Sequence, residues 1–215
     1  FYPDSMNAIA QNFVIEEQMG EVEYPPVNGT NLDWHWQPFR DTLLVASIDE
    51  PFHFYDGNSL LTGSITYTPE QLNGHGKFEF DKAIMESDLM VFKFSEFDAD
   101  TADFFLKTGD AKVGGIGFET TNMKAHVDFA KRMGEFESNG ESSIITFKEN
   151  QYIARMDRFK WYMDDEIVEL SGKKKEVEQG AGRKVSIEGA RLTSIHPDQD
   201  SLFFYSSACQ WDVRN

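Results

Sequence analysis

The strongest constraint on the fold is a strict alternation of apolar and polar residues, uninterrupted over residues 122–129. The apolar positions are Met123, Ala125, Val127 and Phe129, and the polar positions between them are Lys124, His126 and Asp128. Successive side chains of a β-strand point to opposite faces, so this pattern predicts a half-buried strand. We expect the apolar set to face the core and the polar set to face solvent.

Further strands are predicted by short apolar runs that are separated by turn residues. Residues 89–92, 104–106 and 202–205 are apolar at every position, which fits strands that are covered on both sides. Turn sequences such as Asp56-Gly57-Asn58 and Asn139-Gly140 fall between such runs. The sequence therefore predicts an all-β, mainly antiparallel fold, either a sandwich or an open stacked β-solenoid.

The N-terminal region follows a different period. Apolar residues recur at a spacing of three to four within Ser5–Met19, which predicts a short helix. Pro25-Pro26 then interrupts regular structure. We therefore expect an N-terminal helix and linker over residues 1–27 and a single β-rich domain over residues 28–215. Within that domain, the polar stretch 171–184 is expected to be a long loop.

The charge balance excludes several classes of function. Lys and Arg number 20 and Asp and Glu number 37, so the net charge is −17. Nucleic-acid binding requires clustered basic residues that displace counterions, and anionic membrane surfaces attract basic segments, so neither partner is expected. No apolar run approaches the roughly 18 residues of a membrane-spanning helix, so we expect no transmembrane segment.

Three common catalytic motifs are absent from the sequence. It contains no Gly-x-Ser-x-Gly element, no His-Glu-x-x-His element and no phosphate-binding loop with its Lys-Ser/Thr pair. The single cysteine, Cys209, can form neither an intrachain disulfide nor a cysteine-based zinc site. We therefore expect no catalytic centre and no resident cofactor.

An acidic motif, Asp98-x-Asp100-x-x-Asp103, is a candidate site for Ca²⁺, which prefers several oxygen ligands. In a regular strand Asp98 and Asp100 would share a face and Asp103 would not. The motif also lacks the glycine and the glutamate of an EF-hand loop. The alternative interpretation is a solvated connection between two strands of an acidic protein.

An aromatic pair, Trp34 and Trp36, is the second candidate site. Tryptophans two residues apart on a strand face the same way, about 7 Å apart. Two indoles at that spacing can stack on a sugar or contact a partner. The alternative is that both side chains close one end of the β core.

Part of the chain resembles a known family of envelope proteins. Residues 72–80, 85–88, 100–104 and 206–212 resemble the repeated rungs of OstA-like and TamB-like proteins. In those families short strands stack into an open, lipid-conducting β-taco. The resemblance implies a location in a bacterial envelope and an apolar groove.

Two hypotheses on function follow from these features. The first is a non-catalytic segment of a larger cell-envelope or secreted protein, which is structural or binds an apolar ligand such as a lipid acyl chain. The alternative is a carbohydrate-binding jelly-roll module of a secreted protein, with Trp34 and Trp36 as its platform and Ca²⁺ on its acidic loops. Both place the protein in the periplasm, the outer envelope or the extracellular medium, joined to further parts of a longer chain.

Overall fold

The structure is a computed structural model that describes residues 4–109, 115–140, 143–148, 150–172, 175–179, 183–187, 189–207 and 209–214. It is all-β, with 67% of residues in strands, 5% in helical segments and no helix of seven or more residues among the described ones. Seventeen strands are connected by hydrogen bonds into one antiparallel sheet, and two more form a separate hairpin. The predicted all-β, mainly antiparallel fold is confirmed.

Nineteen strands are described. The first nine are β1 (Met6–Ile15), β2 (Val27–Gln37), β3 (Thr42–Ser47), β4 (Phe52–Phe54), β5 (Ser59–Tyr67), β6 (Leu72–Phe80), β7 (Ala83–Phe92), β8 (Glu96–Lys107) and β9 (Ile116–Asp128). The others are β10 (Met133–Ser138), β11 (Ser143–Phe147), β12 (Tyr152–Met156), β13 (Arg158–Tyr162), β14 (Ile167–Ser171), β15 (Lys175–Gln179), β16 (Arg183–Ile187), β17 (Ala190–Ser194), β18 (Phe203–Ser206) and β19 (Cys209–Asp212). The described 3₁₀ segments are Pro38–Arg40, Tyr55–Gly57 and Pro197–Gln199.

Backbone contacts divide the chain into two compact units. Unit 1 comprises residues 1–102 and 126–131, and unit 2 comprises residues 103–125 and 132–215. The sequence predicted one β-rich domain over residues 28–215 and did not indicate this division.

Unit 1 is built around an antiparallel series in which β2 pairs with β1, β3 and β4, and β5 pairs with β3, β4 and β6. Its core is a cluster of phenylalanine rings. Phe54 lies 4.5 Å from Phe92 and Phe78 lies 5.1 Å from Phe97, measured between ring centroids. Such aromatic pairs contribute about 0.5–1.5 kcal/mol each beyond the burial of their surface.

The predicted N-terminal helix is wrong, because residues 6–15 form strand β1. Its register on β2 runs from Met6 opposite Trp36 to Ile15 opposite Val27. Most β1 side chains are exposed, so an apolar face does not decide the structure of this segment. We attribute the strand to the free edge of β2, whose backbone groups need partners that a helix would leave unmet. The connection from β1 to β2 comprises residues 16–26, contains an isolated β-bridge between Gln18 and Tyr24, and ends at Pro26, directly before β2.

In unit 2 the chain runs back and forth in antiparallel strands. Two consecutive strands, such as β10 and β11, pair with the next two, here β13 and β12. The successive pairings are β10 with β13, β11 with β12, β13 with β14, β12 with β17, β14 with β19 and β17 with β18. The core contains Phe104, Phe118, Phe136, Phe159 and Trp161, all buried. Phe136 and Phe159 stack with their centroids 4.3 Å apart and their planes at 9°.

Two sequence-based expectations in unit 2 are wrong. The stretch 171–184 is not a loop throughout, because β15 and β16 pair in a hairpin from Lys175 opposite Ile187 to Gln179 opposite Arg183. Residues 202–205 are not covered on both sides, since Phe203 is 50% exposed and Phe204 is 47% exposed. Strand β18 pairs with β17 from Ala190 opposite Ser206 to Thr193 opposite Phe203, and this pairing leaves both phenylalanine side chains partly exposed.

Strand β9 confirms most of its predicted alternation. The buried apolar positions are Met123, Ala125 and Val127. Phe129 lies beyond the strand and is half-buried, and the predicted exposure of Asp128 is wrong. Asp128 is buried because β9 ends there and its carboxylate caps the following turn, accepting a hydrogen bond of 2.9 Å from the backbone N–H of Lys131.

Candidate functional site

The candidate binding site is an aromatic pocket in unit 1. It has a volume of about 490 Å³ and is lined by Trp34, Trp36, Asp41, Leu43, Tyr67 and Pro69. The two indoles that the sequence analysis singled out therefore contribute to one cavity. Their ring centroids are 6.4 Å apart and their planes are inclined at 67°, so they meet edge to face.

The register of the sheet explains why these side chains converge. Trp36 lies opposite Leu43 of β3, and Leu43 lies opposite Tyr67 of β5. The neighbouring row starts at Trp34 and continues to Val45 and then to Ile65; Val45 and Ile65 are both buried. Both rows lie on the core face of the sheet, and the row that contains Trp36 is only partly covered. The pocket is therefore the exposed end of the core face.

The carboxylate of Asp41 is the charged group among the residues that line the pocket. Asp41 follows the 3₁₀ segment Pro38–Arg40 and adopts a left-handed backbone conformation, with φ of 46°. Aspartate tolerates this conformation better than most residues. Its side chain is exposed, so it offers a hydrogen-bond acceptor at the margin of a mainly apolar and aromatic cavity.

One wall of the pocket is fixed by a second tyrosine. The ring of Tyr24 lies 5.1 Å from that of Tyr67, and the Tyr24 hydroxyl donates a hydrogen bond of 2.7 Å to the backbone carbonyl of Thr68. Burial, followed by the proximity of Tyr67, raises the pKa of Tyr24. The hydroxyl therefore stays protonated at neutral pH and remains a donor.

The predicted Ca²⁺ ligands Asp98, Asp100 and Asp103 all lie on β8 but have different surroundings. The Asp98 carboxylate is hydrogen-bonded to His126 at 2.8 Å, and that of Asp103 accepts a hydrogen bond of 3.0 Å from the backbone N–H of Asn122. Asp100 is exposed. Because Asp98 and Asp103 each have a separate partner, nothing in the described contacts supports a shared cation at the motif.

The alternation of β8 also differs from a regular strand. Phe97 and Ala99 are buried, but the next buried residue is Ala102, because two consecutive exposed residues, Asp100 and Thr101, intervene. The parity of the strand is thereby shifted by one residue. Asp103 consequently lies between buried neighbours, as Asp98 does. The prediction that Asp103 would lie on the opposite strand face from Asp98 and Asp100 is wrong.

A second cluster, which we call the His126 cluster, was missed in the sequence. It consists of Glu96, His126 and Asp128 in unit 1, whose potential ligand atoms all lie within 4.8 Å of one another. The available signal was two pairs with i, i+2 spacing, Glu96 with Asp98 and His126 with Asp128. The sequence places each pair on one strand face but does not reveal where the two pairs meet.

Two lysines neutralise part of the negative charge at the His126 cluster. Lys93 Nζ lies 2.6 Å from Glu96 Oε1, and this hydrogen bond is the main reason that the pKa of Lys93 is raised. Lys131 Nζ lies 2.7 Å from Asp128 Oδ2. Burial acts to raise the pKa of Asp128, but its hydrogen bonds with Lys131 outweigh burial and leave the pKa lowered.

Comparison with known proteins gives no family assignment: no family model, no curated protein and no solved structure matches the chain. Within the described part of the chain, no helix combines the length and apolar character needed to cross a bilayer.

Proposed function

We propose that this chain is a non-catalytic, ligand-binding segment of a larger cell-envelope or secreted protein, and that the aromatic pocket of unit 1 binds an acyl chain. The observation that carries the proposal is the position of the pocket at the open end of the core face. A ligand that enters there continues the apolar packing of the unit. The resemblance of residues 72–80 and 85–88 to OstA-like and TamB-like proteins supports the same class of ligand.

The size and lining of the pocket suit this ligand. Small-molecule sites usually enclose about 300–1,000 Å³ and are lined mostly by apolar and aromatic side chains. Each buried methylene contributes about 0.8 kcal/mol, so ten methylenes would supply about 8 kcal/mol before the cost of association is subtracted. Asp41 would lie beside the polar end of such a ligand and would disfavour an anionic headgroup.

A carbohydrate is the second candidate ligand, and the carboxylate of Asp41 beside two indoles favours it. An acceptor at the edge of an aromatic surface can bind the hydroxyls of a stacked sugar. The angle of 67° between Trp34 and Trp36 argues against it, because a single flat sugar ring can stack on only one of them.

Ligand binding is tested first by native mass spectrometry of the purified chain and then by titration with a dodecanoyl ester, followed through tryptophan fluorescence. Leu43 lines the pocket, whereas the adjacent Leu44 points to the opposite face and is 37% exposed. We expect Leu43→Asn to weaken binding of the ester at least tenfold and Leu44→Asn to leave it unchanged. Saturable binding of a glycan without binding of the ester would favour the second candidate. Binding of neither probe to the parent protein would overturn both.

A further inference from the structure

We propose that Glu96, His126 and Asp128 form a binding site for a divalent transition-metal ion such as Zn²⁺, with Asp98 orienting the imidazole. This site is separate from the aromatic pocket and does not depend on the function proposed for it. The inference rests on the type of donor atoms, their separation and the support of the strands that carry them.

The donor set is one that Zn²⁺ uses. Imidazole nitrogen and carboxylate oxygen bind Zn²⁺ at about 2.0–2.2 Å, and three protein ligands leave a position for water. His126 Nδ1 lies 2.8 Å from Asp98 Oδ1, and the opposite ring nitrogen, Nε2, lies 3.9 Å from Glu96 Oε2. A hydrogen bond from Nδ1–H to Asp98 fixes the tautomer in which Nε2 carries a free lone pair. This carboxylate–histidine arrangement is the usual outer shell of a metal-binding histidine.

The ligand atoms of Glu96, His126 and Asp128 need to move only slightly closer together to bind one ion. Ligand atoms of a tetrahedral site at those bond lengths are about 3.3 Å apart. The present limits are 3.9 Å for the Glu96–His126 pair and 4.8 Å for the group as a whole. Glu96 and His126 are only partly buried, so small rotations of their side chains can bring the donors together.

The strands beneath the His126 cluster are held in place. The hydroxyl of Tyr55 lies 3.2 Å from the backbone carbonyl of Lys93 and 3.1 Å from that of Glu96, which ties down the turn between β7 and β8. The backbone N–H of Phe129 donates a hydrogen bond of 2.9 Å to the carbonyl of Ser95. The ring of Tyr55 also packs 4.6 Å from that of Phe129, measured between centroids. The turn before β8 and the end of β9, which carry the ligands, are therefore held by the same aromatic contact. A site supported in this way loses little freedom when an ion binds.

The lysines leave room for a cation. Lys93 occupies Oε1 of Glu96, while Oε2 faces the histidine. Lys131 is ion-paired with the buried carboxylate of Asp128, and its own side chain is 69% exposed, so it can turn into solvent when a bound ion takes over its charge. A divalent ion would then replace one lysine charge beside Glu96, Asp98 and Asp128.

The histidine predicts the selectivity of the site. Ca²⁺ takes six to eight oxygen ligands, whereas imidazole favours Zn²⁺ and its neighbours in the transition series. A Ca²⁺ site at Asp98, Asp100 and Asp103 would show the opposite preference. The two hypotheses are therefore distinguished by which ion binds.

Isothermal titration with Zn²⁺ and with Ca²⁺, after dialysis of the full chain against EDTA, tests the proposal. We expect one equivalent of Zn²⁺ to bind at neutral pH and no binding of Ca²⁺ at the same concentrations. His126→Ala and Glu96→Gln should each weaken Zn²⁺ binding at least tenfold. Asp98→Asn should weaken it about tenfold or more at unchanged stoichiometry, as is usual for an outer-shell partner.

His75→Ala is the matched control, since His75 is exposed and also lies near a carboxylate, Asp88, at 3.5 Å. It should bind Zn²⁺ as the parent does. Thermal unfolding in EDTA establishes whether each variant is folded. If His126→Ala does not fold, Glu96→Gln is the decisive variant. The proposal is overturned if the parent binds no Zn²⁺, if Ca²⁺ binds as tightly, or if His75→Ala loses as much affinity as Glu96→Gln.

Discussion

Gly63 and Gly76 lie directly opposite each other in the β5–β6 pair, and both have positive φ, 149° and 120°. A Cβ atom on Gly63 would lie 2.1 Å from the carbonyl oxygen of His75, and one on Gly76 would lie 2.4 Å from that of Thr62. The two backbones therefore approach more closely than any side chain permits. The β6–β7 register shifts between Gly74 and Gly76, so this contact lies beside an irregularity in the sheet.

Gly63→Ala is expected to lower the free energy of unfolding by about 2–4 kcal/mol, because it combines an unfavourable φ with a backbone clash. Urea denaturation followed by tryptophan fluorescence measures the change. Gly20→Ala is the control, since Gly20 has a similar φ of 146° but no atom within 4 Å of its added Cβ. A loss in the control as large as that in Gly63→Ala would show that φ alone, without the close approach, accounts for the effect.

Val127→Asp should destabilise the protein by about 3 kcal/mol or more, because it places a carboxylate in the core without a partner. Val127 is fully buried, whereas Lys124 on the same strand is exposed. Lys124→Asp is therefore expected to cost roughly 1 kcal/mol at most. Equal losses of unfolding free energy in the two variants, measured by chemical denaturation, would contradict the assignment of Val127 to the buried face of β9 and Lys124 to the exposed face.

Asp128 should stabilise the protein in a pH-dependent way. Its pKa is lowered in the folded state, so its contribution is present above the unfolded value of about 3.9 and is lost as the pH falls through the folded value. Asp128→Asn should therefore be less stable than the parent at pH 7, and the difference should shrink below about pH 4. Denaturation curves at pH 7, 5 and 3 measure this.

Asp88→Asn is the control for that series, since the Asp88 side chain is fully exposed. It should follow the parent at all three values of pH. A stability difference for Asp128→Asn that persists unchanged at pH 3 would show that the carboxylate charge is not its source.

Tyr55→Phe should cost about 1–2 kcal/mol of stability, because it removes the hydroxyl that bonds the carbonyls of Lys93 and Glu96. Burial, and secondarily the charge of Glu96, raises the pKa of Tyr55 well above its usual value, so the hydroxyl is a donor throughout the neutral range. Hydrogen exchange should show faster opening of the turn at residues 93–96. Unchanged stability and unchanged hydrogen exchange in the variant would show that the Tyr55 hydroxyl does not stabilise this turn.

The sequence predicted those parts of the fold in which local pattern and burial coincide. The alternation in β9 identified Met123, Ala125 and Val127 as core residues because one face of that strand is buried. It did not predict β1, since a weak apolar spacing there is overridden by the pairing with β2. The local sequence pattern of residues 6–15 does not show that the edge of β2 needs a strand partner.

The candidate sites were predictable to different degrees. Trp34 and Trp36 were found because i, i+2 aromatic residues share a face, but their convergence with Asp41 depends on a left-handed turn after Arg40. The His126 cluster was not found, because its members come from two strands whose mutual register the sequence does not reveal. Metal-binding groups assembled across strands leave no spacing signature of the kind that a helical motif does.

The segment 202–205 of unit 2 has consequences for the behaviour of the protein in solution. Four consecutive large side chains, Leu202 to Tyr205, are 39–58% exposed, and the segment carries no charge. An exposed apolar surface of this kind favours association between copies, whereas the net charge of −17 on each chain opposes it. The range of that repulsion is about 8 Å at 0.15 M salt and about 3 Å at 1 M. Concentrated salt should therefore promote association through this apolar surface, and dilute buffer should keep the copies apart.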